Sequence, residues 1–343
     1  MSLVSSQKSH VSSLIKRGAI MSSNTITRMS AALGAGVTAE FDPGAGNAWE
    51  INYVGSDAAF VAGGLYGSVP DVEIGLKKAA ATCIICIDPT TSPGNRAGEH
   101  RFLVSNTVTL TVKNTAAGGA NVSIIGKKIN SNNVLTDIRA VGAGGSIAID
   151  PGAGQGMLTT EIGYSVWTAG PADINPDMQV GFTDGTLVAS RFWDSTQPCG
   201  HDQKLNIYTR HECHLYLTDG LAAGGGNAGF CAEKAANVIS YITDVANGAN
   251  LDVTPVDGNE YLITGIAAEK WTGAAPAGYP NCSASIRVGA NNSGLVKAGL
   301  TSDMWNSGIR ARIDNTNYMR INNADAAFSE IAVLGILVRQ YKS

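Results

Sequence analysis

Hydrophobic and polar positions alternate in short runs along most of the chain. Trp49, Ile51 and Tyr53 alternate with Glu50, Asn52 and Val54, and Val72, Ile74 and Leu76 alternate with Glu73, Gly75 and Lys77. A period of two over four to eight residues, bounded by turn residues, marks a strand with one buried face. Outside the N-terminus no helical stripe stands out. The pattern predicts many short antiparallel strands.

The pattern also returns. Asp42-Pro43-Gly44-Ala45-Gly46 recurs letter for letter as Asp150-Pro151-Gly152-Ala153-Gly154, and in altered form as Thr254-Pro255-Val256-Asp257-Gly258. Proline presets φ and glycine accepts positive φ, so each copy reads as a turn. A second landmark runs Val69-Pro70-Asp71-Val72, then Asn175-Pro176-Asp177-Met178, then Tyr279-Pro280-Asn281-Cys282. A third ends at Asn114, Asp219 and Asn323. The three landmarks keep their order and, within two residues, their spacing. They imply three tandem domains of about 105 residues each. Short strands punctuated by glycine point to an antiparallel β-sandwich or jelly roll in each. The expected divisions are an irregular arm over 1–30 and repeats over 31–129, 137–236 and 238–343.

The arm differs in composition. It is rich in serine, carries Lys8, Lys16, Arg17 and Arg28, and precedes the first acidic residue of the chain, Glu40. It lacks the apolar stretch of a signal peptide. Three readings remain open at this point: an unstructured tail, a mitochondrial presequence, and an arm that orders against a partner surface.

Over the whole chain, charged residues make up only 15%, glycine contributes 41 of 343 residues, and the formal net charge is −4. Low charge and many small residues suit strand-and-turn proteins that pack into larger assemblies. The net charge gives no case for nucleic-acid binding, and no apolar run is long enough to predict a membrane span. The repeat places Cys282 with Val72 and Met178, and Cys213 with Val108, so these two read as core positions rather than disulfide partners.

Candidate chemistry is sparse. Cys199-Gly200-His201 and Arg210-His211-Glu212-Cys213-His214 gather three of the five histidines. Imidazole and thiolate are zinc ligands, which makes His201, His211 and Cys213 the candidate metal residues. Against this, a continuous strand would put His211 and Cys213 on one face and His214 on the other. Trp193 and Trp305 fall outside the repeat pattern and are candidates for an interface or a glycan platform. No G-x-S-x-G, P-loop or H-E-x-x-H is present. No catalytic residue or cofactor is assigned, and the chain reads as a non-enzyme.

Trp49-Glu50-Ile51-Asn52-Tyr53, then Pro70-Asp71-Val72-Glu73-Ile74-Gly75-Leu76, then Phe102-Leu103-Val104-Ser105-Asn106-Thr107-Val108-Thr109-Leu110 resembles the small jelly-roll modules of phage and viral virion proteins. Such modules occur in head-decoration, turret or spike, and fibre proteins. The resemblance is one of strand pattern and tandem duplication over roughly residues 30–341. It implies a virion structural protein assembled in the host cytoplasm. Such a protein would be a homo-oligomer, often a trimer, docking on a major capsid or vertex protein through Lys8, Lys16, Arg17 and Arg28. The alternative is a receptor- or carbohydrate-binding fibre or adhesin, with Trp193 or Trp305 against a host surface glycan.

Overall fold

The structure is a computed structural model. It describes residues 24–56, 72–87, 100–115, 118–165, 178–195, 205–219, 225–268, 282–298, 309–323 and 329–340. These residues are all-β: 24 strands, every pairing antiparallel, and one short 3-10 turn at Ser131–Asn133. Among them no helix is long and apolar enough to cross a membrane.

The strands fall into three sets of eight in chain order. The first is β1 (Thr25–Met29), β2 (Thr38–Phe41), β3 (Ala48–Ser56), β4 (Val72–Lys78), β5 (Ala81–Ile87), β6 (Phe102–Ser105), β7 (Thr109–Asn114) and β8 (Val122–Ile129). The second is β9 (Asp137–Val141), β10 (Ser146–Ile149), β11 (Gly156–Tyr164), β12 (Met178–Thr183), β13 (Val188–Ser195), β14 (Ile207–Arg210), β15 (His214–Asp219) and β16 (Gly226–Ala235). The third is β17 (Tyr241–Val245), β18 (Asn250–Val253), β19 (Asn259–Ala268), β20 (Cys282–Val288), β21 (Asn291–Ala298), β22 (Ala311–Ile313), β23 (Asn317–Asn323) and β24 (Ser329–Gln340).

Each set repeats the same two four-strand groups, and the β5–β11 pairing fuses two of these groups into one eight-stranded sheet that spans the first and second sets. One group has the order β1-β8-β3-β6, matched by β9-β16-β11-β14 and β17-β24-β19-β22. The other has the order β2-β7-β4-β5, matched by β10-β15-β12-β13 and β18-β23-β20-β21. Thr25–Met29, assigned to the arm by composition, is therefore an edge strand, paired with β8 from Thr25↔Lys127 to Met29↔Ser123. Lys8, Lys16 and Arg17 lie outside the described residues.

The sequence landmarks have physical counterparts. The turn glycines Gly44, Gly152 and Gly258 all have positive φ, at 83°, 95° and 80°, and the Asp42 and Asp150 carboxylates accept from the Gly44 and Gly152 N–H groups. Val72, Ile74 and Leu76 are completely buried, as are Cys213 and Cys282. The third landmark ends on buried polar side chains. The Asn114 amide donates to the carbonyls of Leu33, Gly34 and Gly118, and the Asn323 amide donates to those of Val245 and Ala246. A buried amide left unpaired costs about 1–3 kcal/mol, so these residues pin the connection between the first two strands of their sets.

One alternation reads differently in the structure. Tyr53 does not share the inward face of Trp49 and Ile51; it is 39% exposed, and Val54 is buried instead. A β-bulge between Ile51 and Tyr53 adds one residue against β8 and reverses every face beyond it. Bulges occur at the same place in β11, between Thr159 and Glu161, and in β19, between Ile263 and Gly265.

Candidate functional site

Of the proposed metal residues, the two that are described, His211 and Cys213, are not brought together. Arg210 and Cys213 exchange backbone hydrogen bonds of 3.1 and 3.0 Å, so His211 and Glu212 form a two-residue turn rather than a strand. The turn puts His211 in solvent and Cys213 in the core, and the shared face expected of them does not exist. His211 Nδ1 lies 2.7 Å from Asp150 Oδ2, and the His214 ring donates to the His211 carbonyl. Partial burial opposes charge on Asp150, but the Gly152 N–H and His211 outweigh it and hold the carboxyl below its ordinary value. Burial pushes the Cys213 thiol well up. Among the described residues no group of three His, Cys, Asp or Glu is placed to hold a metal ion. His201 and Trp305 lie outside the described residues. Trp193 lies in β13, opposite Val180 of β12. Arg28 sits on exposed β1 with its guanidinium 5.6 Å from the Trp49 ring centre, a cation–π contact.

The densest polar arrangement lies between the strand sets. β6 of the first set packs on β11 and β16 of the second, and β5 continues across the join through the Tyr164↔Ile84 pairing. The bulge in β11 presents Thr160 and Glu161 to this seam. Thr160 Oγ1 donates to the Arg101 carbonyl at 2.7 Å, and the Arg101 N–H donates to Glu161 Oε1 at 2.9 Å. The Arg101 guanidinium then spans the join, 2.8 Å from Glu50 of its own set and 2.7 Å from Glu233 of the next. Burial alone would lower the pKa of Arg101, but the two carboxylates raise it above its ordinary value. Burial likewise opposes charge on Glu50, and Arg101 with Lys127 brings its pKa below the usual range.

A hydroxyl closes the seam. Thr136 Oγ1 donates to the Leu103 carbonyl at 2.5 Å and accepts from the Ala232 N–H at 3.2 Å. The next join repeats the arrangement: Ser240 Oγ donates to the Tyr208 carbonyl at 2.6 Å and accepts from the Gly335 N–H at 3.2 Å. These are the same positions in their sets, because Leu103 pairs with Glu50, Tyr208 with Leu158, Ala232 with Thr159 and Gly335 with Ile263.

The apolar part of each seam is shared as well. Ile138 and Cys231 belong to the hydrophobic core of the first set, although they lie on strands of the second. Ile242, Ala267, Ala332 and Leu334 of the third set complete the core of the second. Gly229 allows the close approach, since a Cβ there would stand 2.2 Å from Cys83 Sγ. Reading the sequence strand by strand missed this arrangement. Its signal was present in the repeat itself, where Thr27, Thr136 and Ser240 align.

Burial pushes up the thiols that line the first seam, Cys83 to about 12 and Cys231 well above its ordinary value. No known protein family matches the chain, and no curated protein is similar to it.

Proposed function

We propose that the chain is a non-enzymatic virion structural protein that decorates or projects from a capsid as a decoration, spike, turret or fibre protein. In this reading each eight-strand set is a jelly-roll domain, and the basic segment before β1 docks on a capsid or vertex protein. The observation that carries the reading is the strand order. The chain alternates between two facing sheets in the order in which a jelly roll winds, and it does so three times. Core residues shared across the seams join neighbouring sets, which suits a scaffold that fills or projects from a surface.

The test is to produce particles with the full chain and with a chain lacking residues 1–23, which leaves β1 intact. The expected result is a truncated protein with unchanged far-UV circular dichroism that is missing from purified particles. Incorporation of the truncated chain at the full-length level would refute docking through the arm. Absence of the full chain from particles would refute the virion assignment.

A further inference from the structure

Among the described residues, no other set covers the two ends of the series of seams. In the second set, Glu161 and Cys231 are the residues just past the bulge, and in the third set they are Gly265 and Leu334; all four are buried, Glu161 bonded to Arg101 and Cys231 and Leu334 packed into the core of the preceding set. The corresponding residues of the first set are Tyr53 and Ile125, which are 39% and 43% exposed. The edge strand follows the same rule. Ile138 and Ile242 are 4% and 8% exposed, while Met29, their counterpart on β1, is 73% exposed. Thr27, the counterpart of Thr136 and Ser240, is also exposed. At the far end, β22 is the counterpart of β6 and β14, and the core of the third set contains residues of that set alone. Arg312 holds the position of Leu103 and Tyr208, since it pairs with Leu262 as they pair with Glu50 and Leu158.

We propose that these ends are the two halves of one self-association site: the face formed by Met29, Tyr53 and Ile125 of one chain docks on the β22 edge of a second copy. The occupant is specified by the chain itself, which makes this contact twice internally between repeats of the same strand order. By that template the Thr27 hydroxyl donates to the Arg312 carbonyl of the second copy, as Thr136 does to Leu103. Asn52, which stands where Thr160 does, donates its amide to the Arg310 carbonyl. The ionic component is not reproduced: Lys127 occupies the position of Glu233 and already pairs with Glu50. The intermolecular seam is therefore mainly apolar and weaker than the internal ones. A contact of this kind joins unlike surfaces, so it propagates head to tail into a closed ring or an open filament. This holds whether or not the protein belongs to a virion.

The experiment uses the full chain. Tyr53 is replaced by the photo-crosslinking residue benzoylphenylalanine, and nitrogen-14 and nitrogen-15 proteins are mixed before irradiation. The expected products are mixed-isotope crosslinks to residues 309–313. In parallel, Ile125→Asp weakens the association seen in sedimentation by more than about tenfold while leaving the melting temperature unchanged. Crosslinks confined to one isotope would show closure within a single chain and overturn the proposal. So would crosslinks to residues 1–23, or sedimentation of the unmodified chain as a monomer at every concentration.

Discussion

Replacing the seam hydroxyl at each of its three positions isolates what the seam contributes. Thr136→Val keeps the shape of the side chain and removes one donor and one acceptor. The Leu103 carbonyl and the Ala232 N–H then stay buried without that partner. An unsatisfied buried group costs about 1–3 kcal/mol, and the longer bond to Ala232 belongs at the low end, so the sum is about 2–4 kcal/mol. Ser240→Ala removes the same pair of bonds at the second seam, 2.6 and 3.2 Å long, and should cost about as much. Thr27→Val is the internal control, because its side chain is exposed; it should change the stability of the isolated chain by no more than about 0.5 kcal/mol. Urea titration followed by circular dichroism, with hydrogen exchange to locate the unfolding set, gives all three values. Equal effects at the three positions, or a neutral Thr136→Val, would refute the assignment of the hydroxyl as a seam contact.

Other expectations follow from the same geometry. Gly229→Val should open the first seam, since even a Cβ there meets Cys83 Sγ, at a cost of about 1–3 kcal/mol measured by the same titration. Arg101→Met takes from the nearly buried Glu50 one of its two cationic partners, leaving Lys127, and should destabilise the chain by about 1–3 kcal/mol. Glu50 and Asp137 both have lowered folded-state pKa values. Their stabilisation is therefore complete above the unfolded carboxylate range and should be lost as pH falls below about 4. An acid titration that leaves the unfolding free energy flat from pH 5 to pH 3 contradicts this. Cys83, Cys213, Cys231 and Cys282 are buried, so a thiol reagent at pH 8 should modify them only after denaturation. For Cys83, at about 12, roughly one molecule in ten thousand is thiolate at that pH.

Local rules made much of the fold readable. The Asp-Pro-Gly turns needed glycine at positive φ, and the Val72, Ile74 and Leu76 face followed from strict alternation. The repeat alone was enough to place Cys213 and Cys282 in the core. Errors arose where one residue changed the local geometry. The bulge at Asn52 exchanged the faces of Tyr53 and Val54, and the His211-Glu212 turn separated two residues that a continuous strand would have aligned. Neither a bulge nor a tight turn lacking glycine carries a strong local signature. The seam was hidden for a different reason. Cys231 reads as one more apolar residue of β16, and only the packing of two sets shows that it fills the core of the neighbour.

That borrowing has a consequence for synthesis. β8, the last strand of the first set, ends at Ile129, but the core of that set also needs Cys231. About a hundred residues separate them, which at 5–20 residues per second is a delay of about 5–20 s on the ribosome. Through that interval the nascent first set exposes an unfinished core and the open edges of β5 and β6. A chaperone that recognises apolar strand edges would find its binding site there, and would lose it when β16 arrives.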